Sequence, residues 1–394
     1  MKNTNNRKIK VLYIQDRPLG GSGNSLLHMV DSLKNIKSYI YFGSKDIFYG
    51  SFKKLEPRIK INNAFYTRSW LHYLPKNFSF FWLLKFPIII LFHLLSILSL
   101  TIFTKRKKIN IIHSNTLSMI EGAIVAKILK IPHIWHIREL IGDDAYDYSF
   151  KKSMITKIIN KLSNKVFCDS NGTYNSLVSL GVKKNKIIII GNIIKKPSKK
   201  EDIRELLDLP SRSQIVAIIG WVRPIKRVEN FIKIAKKFND GGLYFLIIGK
   251  SGGNFYLDKY KESLDKIIND NPKLSNIIFV GHVENITSYI NSIDILVHCC
   301  EKEAFGRVIA ESLLSETPAI AANSDATNDI IINNETGYVV GHNDIEQYAK
   351  YIQLLLSDEN KKIKISKNGQ KFVQMEFSSQ SICKKLNYNY NDLI

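Results

Sequence analysis

"IDILVHCCEKEAFGRVIAESLL", residues 293–314, holds one complete folding unit. It opens on an apolar run, 293–299, with the composition of a strand buried on both faces. Glu301, Glu303 and Phe305 then lie in a loop, and Gly306 opens a helix predicted over 306–315. A strand feeding a helix in this way is the building block of a parallel sheet covered by helices.

The same unit recurs outward in both directions. Buried-type strands are predicted at 9–15, 38–44, 109–115, 132–138, 165–170 and 186–192, and again at 214–220, 243–249, 276–282 and 318–324. Helix-compatible segments such as 22–36, 116–130 and 226–239 separate them. The fold class is therefore α/β, with two Rossmann-like, doubly wound parallel sheets in tandem. The Lys/Pro/Ser stretch "KKPSKKED" (195–202) reads as the linker. The domains expected are 1–195 and 196–375, with a C-terminal helix over 376–394 returning to the first. A length of 394 residues suits two such domains.

Composition narrows the class further. Four cysteines (Cys168, Cys299, Cys300 and Cys383) show no metal-type spacing, which fits a reducing cytoplasm. No signal-type hydrophobic region precedes the first strand. Of the net charge of +22, residues 1–195 carry 31 Lys/Arg against 10 Asp/Glu, or +21, and residues 196–394 carry 26 against 25, or +1. A field so one-sided attracts anionic lipid headgroups, phosphate-bearing acceptors or nucleic acid. A basic, non-enzymatic protein binding nucleic acid or membrane is the reading that charge alone would give. No stacking-aromatic motif or recognition helix supports nucleic acid as a partner.

One stretch competes with a simple α/β reading: "FFWLLKFPIIILFHLLSILSLTIF", 80–103. It approaches the roughly 20 apolar residues of a membrane span, but Lys85 and Pro87 interrupt it. A span would also place strands 9–15 and 109–115 on opposite sides of a bilayer. Two readings stay open, a buried core helix and a helix lying in the membrane surface.

Chemistry-bearing residues gather at strand ends, where open α/β sheets place ligands. "QDRPLGGSGNS" offers a glycine turn around Gly21 whose backbone N–H groups face a helix N-terminus, an anion-type site. It matches neither the dinucleotide nor the P-loop spacing. "GWVRPIKRVENF" (220–231) puts Arg223 and Lys226 in the equivalent turn of the second half. There they form either a diphosphate clamp or a solvated pair. "IPHIWHIRE" (131–139) places His136 at a strand end, either orienting a sugar hydroxyl or satisfied in interdomain packing. Glu303 and Glu311 stand at a spacing that lets each carboxylate accept from a pair of hydroxyls on one extended ligand.

With these residues in place, the chain resembles the retaining nucleotide-sugar glycosyltransferases of the GT-B fold, and within them family 4. The resemblance rests on Glu-x7-Glu, Glu303 to Glu311, and on "VGHVENI" (280–286), "DILVHC" (294–299), "ETPAIAANS" (316–324) and "NETGYVV" (334–340) in the family's order. It implies two Rossmann-like domains facing a cleft, the first for the acceptor and the second for the donor. Glu303 would contact the transferred sugar and Glu311 the ribose. Arg223 and Lys226 would hold the diphosphate, beside Gly21 and the N–H groups near Phe305 and Gly306. Gly249 and Val283 would line the nucleotide site, and His136 would stand near the reacting sugar. The sequence departs from the pattern at Trp221, where Arg is usual, at Arg227, where Gly is usual, and at Asp329, where Glu is usual.

The resemblance implies transfer with retention from a UDP- or GDP-type sugar, with no metal and no further cofactor; no Asp-x-Asp occurs in the sequence. The acceptor it implies is a saccharide, lipid-linked or free, in surface-polysaccharide assembly. The setting is the cytoplasmic side of an anionic membrane, with peripheral attachment. A nucleotide-sugar epimerase of the same fold is the alternative enzyme.

Overall fold

The structure, a computed structural model, describes residues 8–16, 20–43, 60–63, 80–141, 150–196, 202–238 and 242–394. The chain divides into two compact units, Met1–Ile193 with Ser379–Ile394, and Ile194–Ser378. Most of the expected linker, 197–201, lies outside the described residues.

Unit 1 holds a seven-stranded sheet in the order β3-β2-β1-β4-β5-β6-β7. Its strands are β1 (Lys10–Gln15), β2 (Lys37–Phe42), β3 (Lys60–Asn63), β4 (Ile111–Ser114), β5 (His133–Ile137), β6 (Lys165–Cys168) and β7 (Ile187–Ile189). Every pairing in it is parallel. Unit 2 holds β8 (Gln214–Ile219), β9 (Leu243–Ile248), β10 (Ile277–Gly281), β11 (Ile295–His298), β12 (Ala319–Ala322) and β13 (Tyr338–Val340). They too are parallel, in the order β10-β9-β8-β11-β12-β13.

The apolar runs explain the layering. Alternate residues of β8 face opposite ways: Val216 and Ile218 join Phe231 and Phe245 on one side of the sheet. Ile215, Ala217 and Ile219 join Ile309 and Leu313 on the other. Both faces are dry, as a doubly wound sheet requires. The two strands that sequence patterning does not reveal, β3 and β13, are edge strands of four and three residues.

Strand order reverses between β1 and β4 in unit 1 and between β8 and β11 in unit 2. At such a switch point the loops leave the strand ends in opposite directions and open a crevice. At the β8 end the backbone comes unusually close. Gly249 has φ +148, and a Cβ there would stand 1.9 Å from the Gly220 carbonyl oxygen. Only glycine fits.

The C-terminal helix Ser379–Asn391 belongs to unit 1, where Ile382, Leu386 and Tyr390 pack with Val11, Tyr13 and Phe167. The apolar stretch forms a helix, Phe80–Lys107. It is not the core helix that one of its two readings predicts. Ile88, Leu91, Leu94 and Leu98 are each more than half exposed. From Phe86 to Lys107 it is long and apolar enough to cross a membrane. Yet β1 and β4, which flank it in sequence, pair from Val11–Ile111 to Ile14–Ser114. Both of its ends return to one sheet.

Candidate active site

In unit 2 the site grows from the two loops at the switch point. The β8 strand ends at Gly220, and its loop tightens into a 3-10 turn, Pro224–Lys226, with proline at its first position. The β11 strand ends at His298, and its loop runs through Glu303 to Gly306. Gly306 adopts φ 85, ψ 44 immediately before the helix Arg307–Leu314. A Cβ at Gly306 would press within 3.0 Å of Ile309, so the left-handed turn that aims the loop depends on glycine.

These two loops bring Lys226 and Glu303 together. The Lys226 ammonium donates to Glu303 Oε2 at 2.6 Å. His298 Nε2 donates to the same oxygen at 3.0 Å, and the Ala304 N–H donates to Oε1 at 3.2 Å. Burial pushes the Glu303 carboxyl up, but Lys226 and His298 outweigh it and hold the group well below the usual carboxylate range. Burial, with Lys226 adding to it, lowers His298 despite the pull of Glu303. At neutral pH the constellation is an ammonium, a carboxylate and a neutral imidazole donating its Nε2–H.

Arg223 is stacked, its Cζ 3.3 Å from the centroid of the Trp221 ring. That contact gives the unexpected tryptophan a purpose, because it fixes the plane of the guanidinium. Arg227, where the family resemblance expects glycine, adopts φ 52, ψ 46. The backbone keeps a glycine-type conformation although the side chain has changed. Glu311 is gripped by Arg307 four residues earlier, Nε to Oε1 at 2.8 Å. Burial nonetheless raises its carboxyl above the ordinary value, with Arg307 opposing.

Phe305 is a core residue, edge-on to Phe377 at 5.4 Å, so it serves the site through its backbone alone. Val283 is half-buried and packs on the same core. Gly249 follows β9, beside Gly220. Three of these features escape a reading of single residues: His298, Arg307 and the Trp221–Arg223 stack. The i,i+4 spacing of Arg307 and Glu311 was the one available signal.

Among the described residues, His298, Cys300 and Glu303 bring their ligand-type atoms within 4.8 Å of one another. The Lys226 ammonium already sits against the carboxylate of that group. A divalent cation would meet a fixed positive charge there.

Unit 1 presents a different constellation at its own switch point. Gln15, at the end of β1, donates to Ser22 in the glycine-turn helix and accepts from Asn115 Nδ2, just past β4. Gly21 stands in the first turn of that helix, Gly20–Ser32, with no atom within 4 Å of where a Cβ would project.

His136 does not reach out toward a ligand, contrary to the role expected for it. It is fully buried, with Nε2 donating to Asp169 Oδ1 at 2.8 Å and Nδ1 3.2 Å from His113 Nε2. Burial and the nearby Arg138 push its pKa down to about 4, so the ring is neutral. The partners fix the tautomers into one chain: Tyr13 to Tyr390 to His113 to His136 to Asp169. Both ring nitrogens are engaged within unit 1. The group that closes this end of β5 is Arg138. It donates to both Asp169 oxygens, to Asn192 and to Asn115. Next to it, burial drives Glu139 up to about 7, although it accepts from the Leu117 and Arg138 N–H groups.

Comparison with known proteins bears on the family and the fold. Residues 199–372 match the family model for "Glycosyl transferases group 1", which covers most of unit 2. The chain is 26% identical over 316 residues to the capsular polysaccharide biosynthesis glycosyltransferase CapM of Staphylococcus aureus. That match takes in 76% of this chain and 81% of CapM. It is 24% identical over 275 residues to a Campylobacter jejuni enzyme named N,N'-diacetylbacillosaminyl-diphospho-undecaprenol alpha-1,3-N-acetylgalactosaminyltransferase, covering 63% of this chain and 68% of that one. In fold it matches Anabaena HepE, solved in complex with UDP and glucose. The TM-score is 0.78 at 16% identity, over 98% of this chain and all of that one. The chain has the GT-B fold and resembles the group 1 glycosyltransferases.

Proposed function

We propose that this chain, a glycosyltransferase of GT-B architecture, moves a hexosyl group from a UDP- or GDP-type sugar to a saccharide acceptor. The transfer retains anomeric configuration and needs no metal or other cofactor. The single observation that carries the reading is the Lys226–Glu303 pair at the β8/β11 switch point, with the stacked Arg223 on the same loop.

As the bond from sugar to diphosphate breaks, negative charge grows on the leaving phosphate. Arg223, held flat on Trp221, and Lys226, a compact ammonium, stabilise that charge. In the free protein Lys226 is held by Glu303; with donor bound it is shared between carboxylate and phosphate. Glu303 stays ionised, so it accepts hydrogen bonds from sugar hydroxyls and stabilises the oxocarbenium-like centre. Glu311, already presented by Arg307, takes the ribose diol. The acceptor hydroxyl attacks from the face that the diphosphate leaves and passes its proton to the departing phosphate oxygen, so the bond to the diphosphate breaks as the glycosidic bond forms. Unit 1 supplies the acceptor side.

The acceptor we infer is a lipid-linked saccharide in surface-polysaccharide assembly, with the protein attached peripherally to the inner face of the cytoplasmic membrane. The names of the S. aureus and C. jejuni relatives support that setting. So does the excess of +21 in residues 1–195 (31 Lys/Arg against 10 Asp/Glu).

The test is a thermal-shift screen with UDP, GDP and their sugars, followed by transfer to a lipid-linked acceptor with and without EDTA. Donor at 100 times Kd stabilises the fold by about 2.7 kcal/mol. Turnover that persists in EDTA and gives product of the donor's anomeric configuration supports the reading. Loss of turnover in EDTA with rescue by Mg²⁺ or Mn²⁺ refutes the metal-free mechanism.

A further inference from the structure

We propose that the helix Phe86–Lys107 rests its outer face in the headgroup–acyl boundary of an anionic bilayer, lying along the membrane and not through it. This deepens the peripheral attachment inferred above, but it stands on the helix itself.

The helix is apolar outward as well as inward, where Ile97, Leu100 and Phe103 pack on the core. Its buried positions are His93, Ser96, Leu100 and Thr104, three polar residues and one leucine at helical spacing. Its exposed stripe is Ile88, Leu91, Leu94, Leu98 and Ile102, at 54%, 54%, 58%, 58% and 44% exposure. A helix on a water-facing surface is apolar inward but polar outward. The buried polar face is anchored, since His93 Nδ1 meets Glu121 Oε1 at 2.5 Å. Rolling the helix to hide the leucines would break that contact. The stripe therefore faces outward by construction, and contiguous apolar surface of this kind marks an interaction site.

Charge selects the occupant. The stripe runs into Lys105, Arg106, Lys107 and Lys108 at the C-terminal end of the helix. The neighbouring helix Glu121–Leu129, which packs against it, exposes Ile128 between Lys127 and Lys130. Apolar side chains flanked by lysine and arginine are what an interfacial helix presents to anionic headgroups, the long basic side chains reaching up to the phosphates. An apolar protein groove would have no use for the cations. Orientation follows from the sheet: β1 and β4 pair directly, so the two ends of the helix stay on one side of the bilayer.

The experiment is co-sedimentation of the full chain with vesicles of phosphatidylglycerol and phosphatidylethanolamine, at 0.1 M and 1 M salt. Wild type is expected to bind at low salt and to keep a bound fraction at high salt. Leu94→Glu with Leu98→Glu should lower the salt-resistant partition at least about tenfold, since each buried methylene contributes to anchoring. Lys105→Glu with Arg106→Glu should weaken the low-salt binding instead. Both pairs lie in unit 1 and Glu303 in unit 2, so the UDP thermal shift and transfer to a detergent-soluble acceptor should be unchanged. No vesicle binding at low salt, binding wholly abolished by 1 M salt, or full binding by the Leu94/Leu98 variant would each overturn the proposal. So would a wild-type dimer, measured by light scattering, that the same variant dissolves; the stripe would then join two copies. Vesicle binding without any transfer activity would leave this inference standing and sink the proposed reaction.

Discussion

Lys226→Met is the most revealing substitution at the candidate site, because structure and catalysis predict different signatures for it. The ammonium lies 2.6 Å from Glu303 Oε2, with side-chain exposures of 25% and 16%. At an effective dielectric of about 20, two unit charges at that distance attract by about 6 kcal/mol before desolvation is counted. Removing one partner of a fully buried pair destabilises by about 3–5 kcal/mol, and partial exposure here brings the expectation to about 2–3 kcal/mol at pH 7. The pH dependence is the sharper readout. In the wild type Glu303 is held below its unfolded value by Lys226 and His298. Its contribution is therefore complete above the unfolded pKa of about 4.3 and is lost only as pH falls through the lower folded value. Without Lys226, burial dominates and the folded pKa moves above the unfolded one. The folded state then holds a proton that the unfolded state has released, and stability rises as pH falls from 7 toward 5. The expected recovery is about 1 kcal/mol over that range, at up to 1.4 kcal/mol per pH unit. Urea unfolding of both proteins at pH 7, 6 and 5 measures it. Turnover should fall in parallel by about 10² to 10³, the effect of one lost donor to a developing anion. A variant whose stability tracks wild type at all three pH values would refute the ion-pair argument. One that unfolds as expected but turns over normally would refute the diphosphate role.

The two glutamates should separate kinetically. If Glu303 acts beside the reacting centre as proposed, Glu303→Gln is expected to lower kcat, whereas Glu311→Gln should mainly raise the donor KM. Steady-state kinetics with saturating acceptor decides, and near-normal kcat in Glu303→Gln would sink its assignment. Gly249→Ala should be lost to the fold, since its Cβ would stand 1.9 Å from a carbonyl oxygen. A drop of more than about 4 kcal/mol, or no soluble protein, is expected. Gly21→Ala meets nothing within 4 Å and should leave the melting temperature within a degree or two. Any loss of activity there would report the anion turn and not the fold.

The α/β class was legible because parallel strands buried on both faces leave continuous apolar runs, and eleven of the thirteen strands do so. The two others sit at edges, where three or four residues suffice to pair. In unit 2 the strand-end positions of Lys226 and Glu303 were legible, but their pairing was not, because it depends on β8 and β11 lying side by side in the sheet. What sequence could not show were the groups that set the chemistry of those residues. His298 reads as part of a strand, and Trp221 reads as a departure until its ring is found under Arg223. In unit 1 the histidine that looked ready for a ligand is consumed internally. Its consumers, Asp169, His113 and Tyr390, come from distant parts of the chain. The apolar stretch left two readings open, because hydropathy records composition and not which face of a helix is turned outward.

The same switch-point topology thus carries two kinds of polar site, and the difference lies in how firmly each charge is held. Arg138 and Asp169 are only 6% and 4% exposed, and three further groups (His136, Asn115 and Asn192) hold them in one network. Moving either would strand buried polar groups, at about 1–3 kcal/mol each. Such a network fixes backbone geometry at the ends of β4, β5 and β6 and is poorly suited to changing partners during a reaction. In unit 2, Lys226 is a quarter exposed and has a flexible stem, Glu303 is 16% exposed, and Arg223 is braced by the Trp221 ring. Under the proposed reaction these charges exchange a protein partner for a phosphate, which their partial exposure permits. Where a substrate must arrive, shed charge and leave, the less enclosed pair is the one suited to the proposed chemistry. The rigid network serves as the platform that keeps its own strand ends in register.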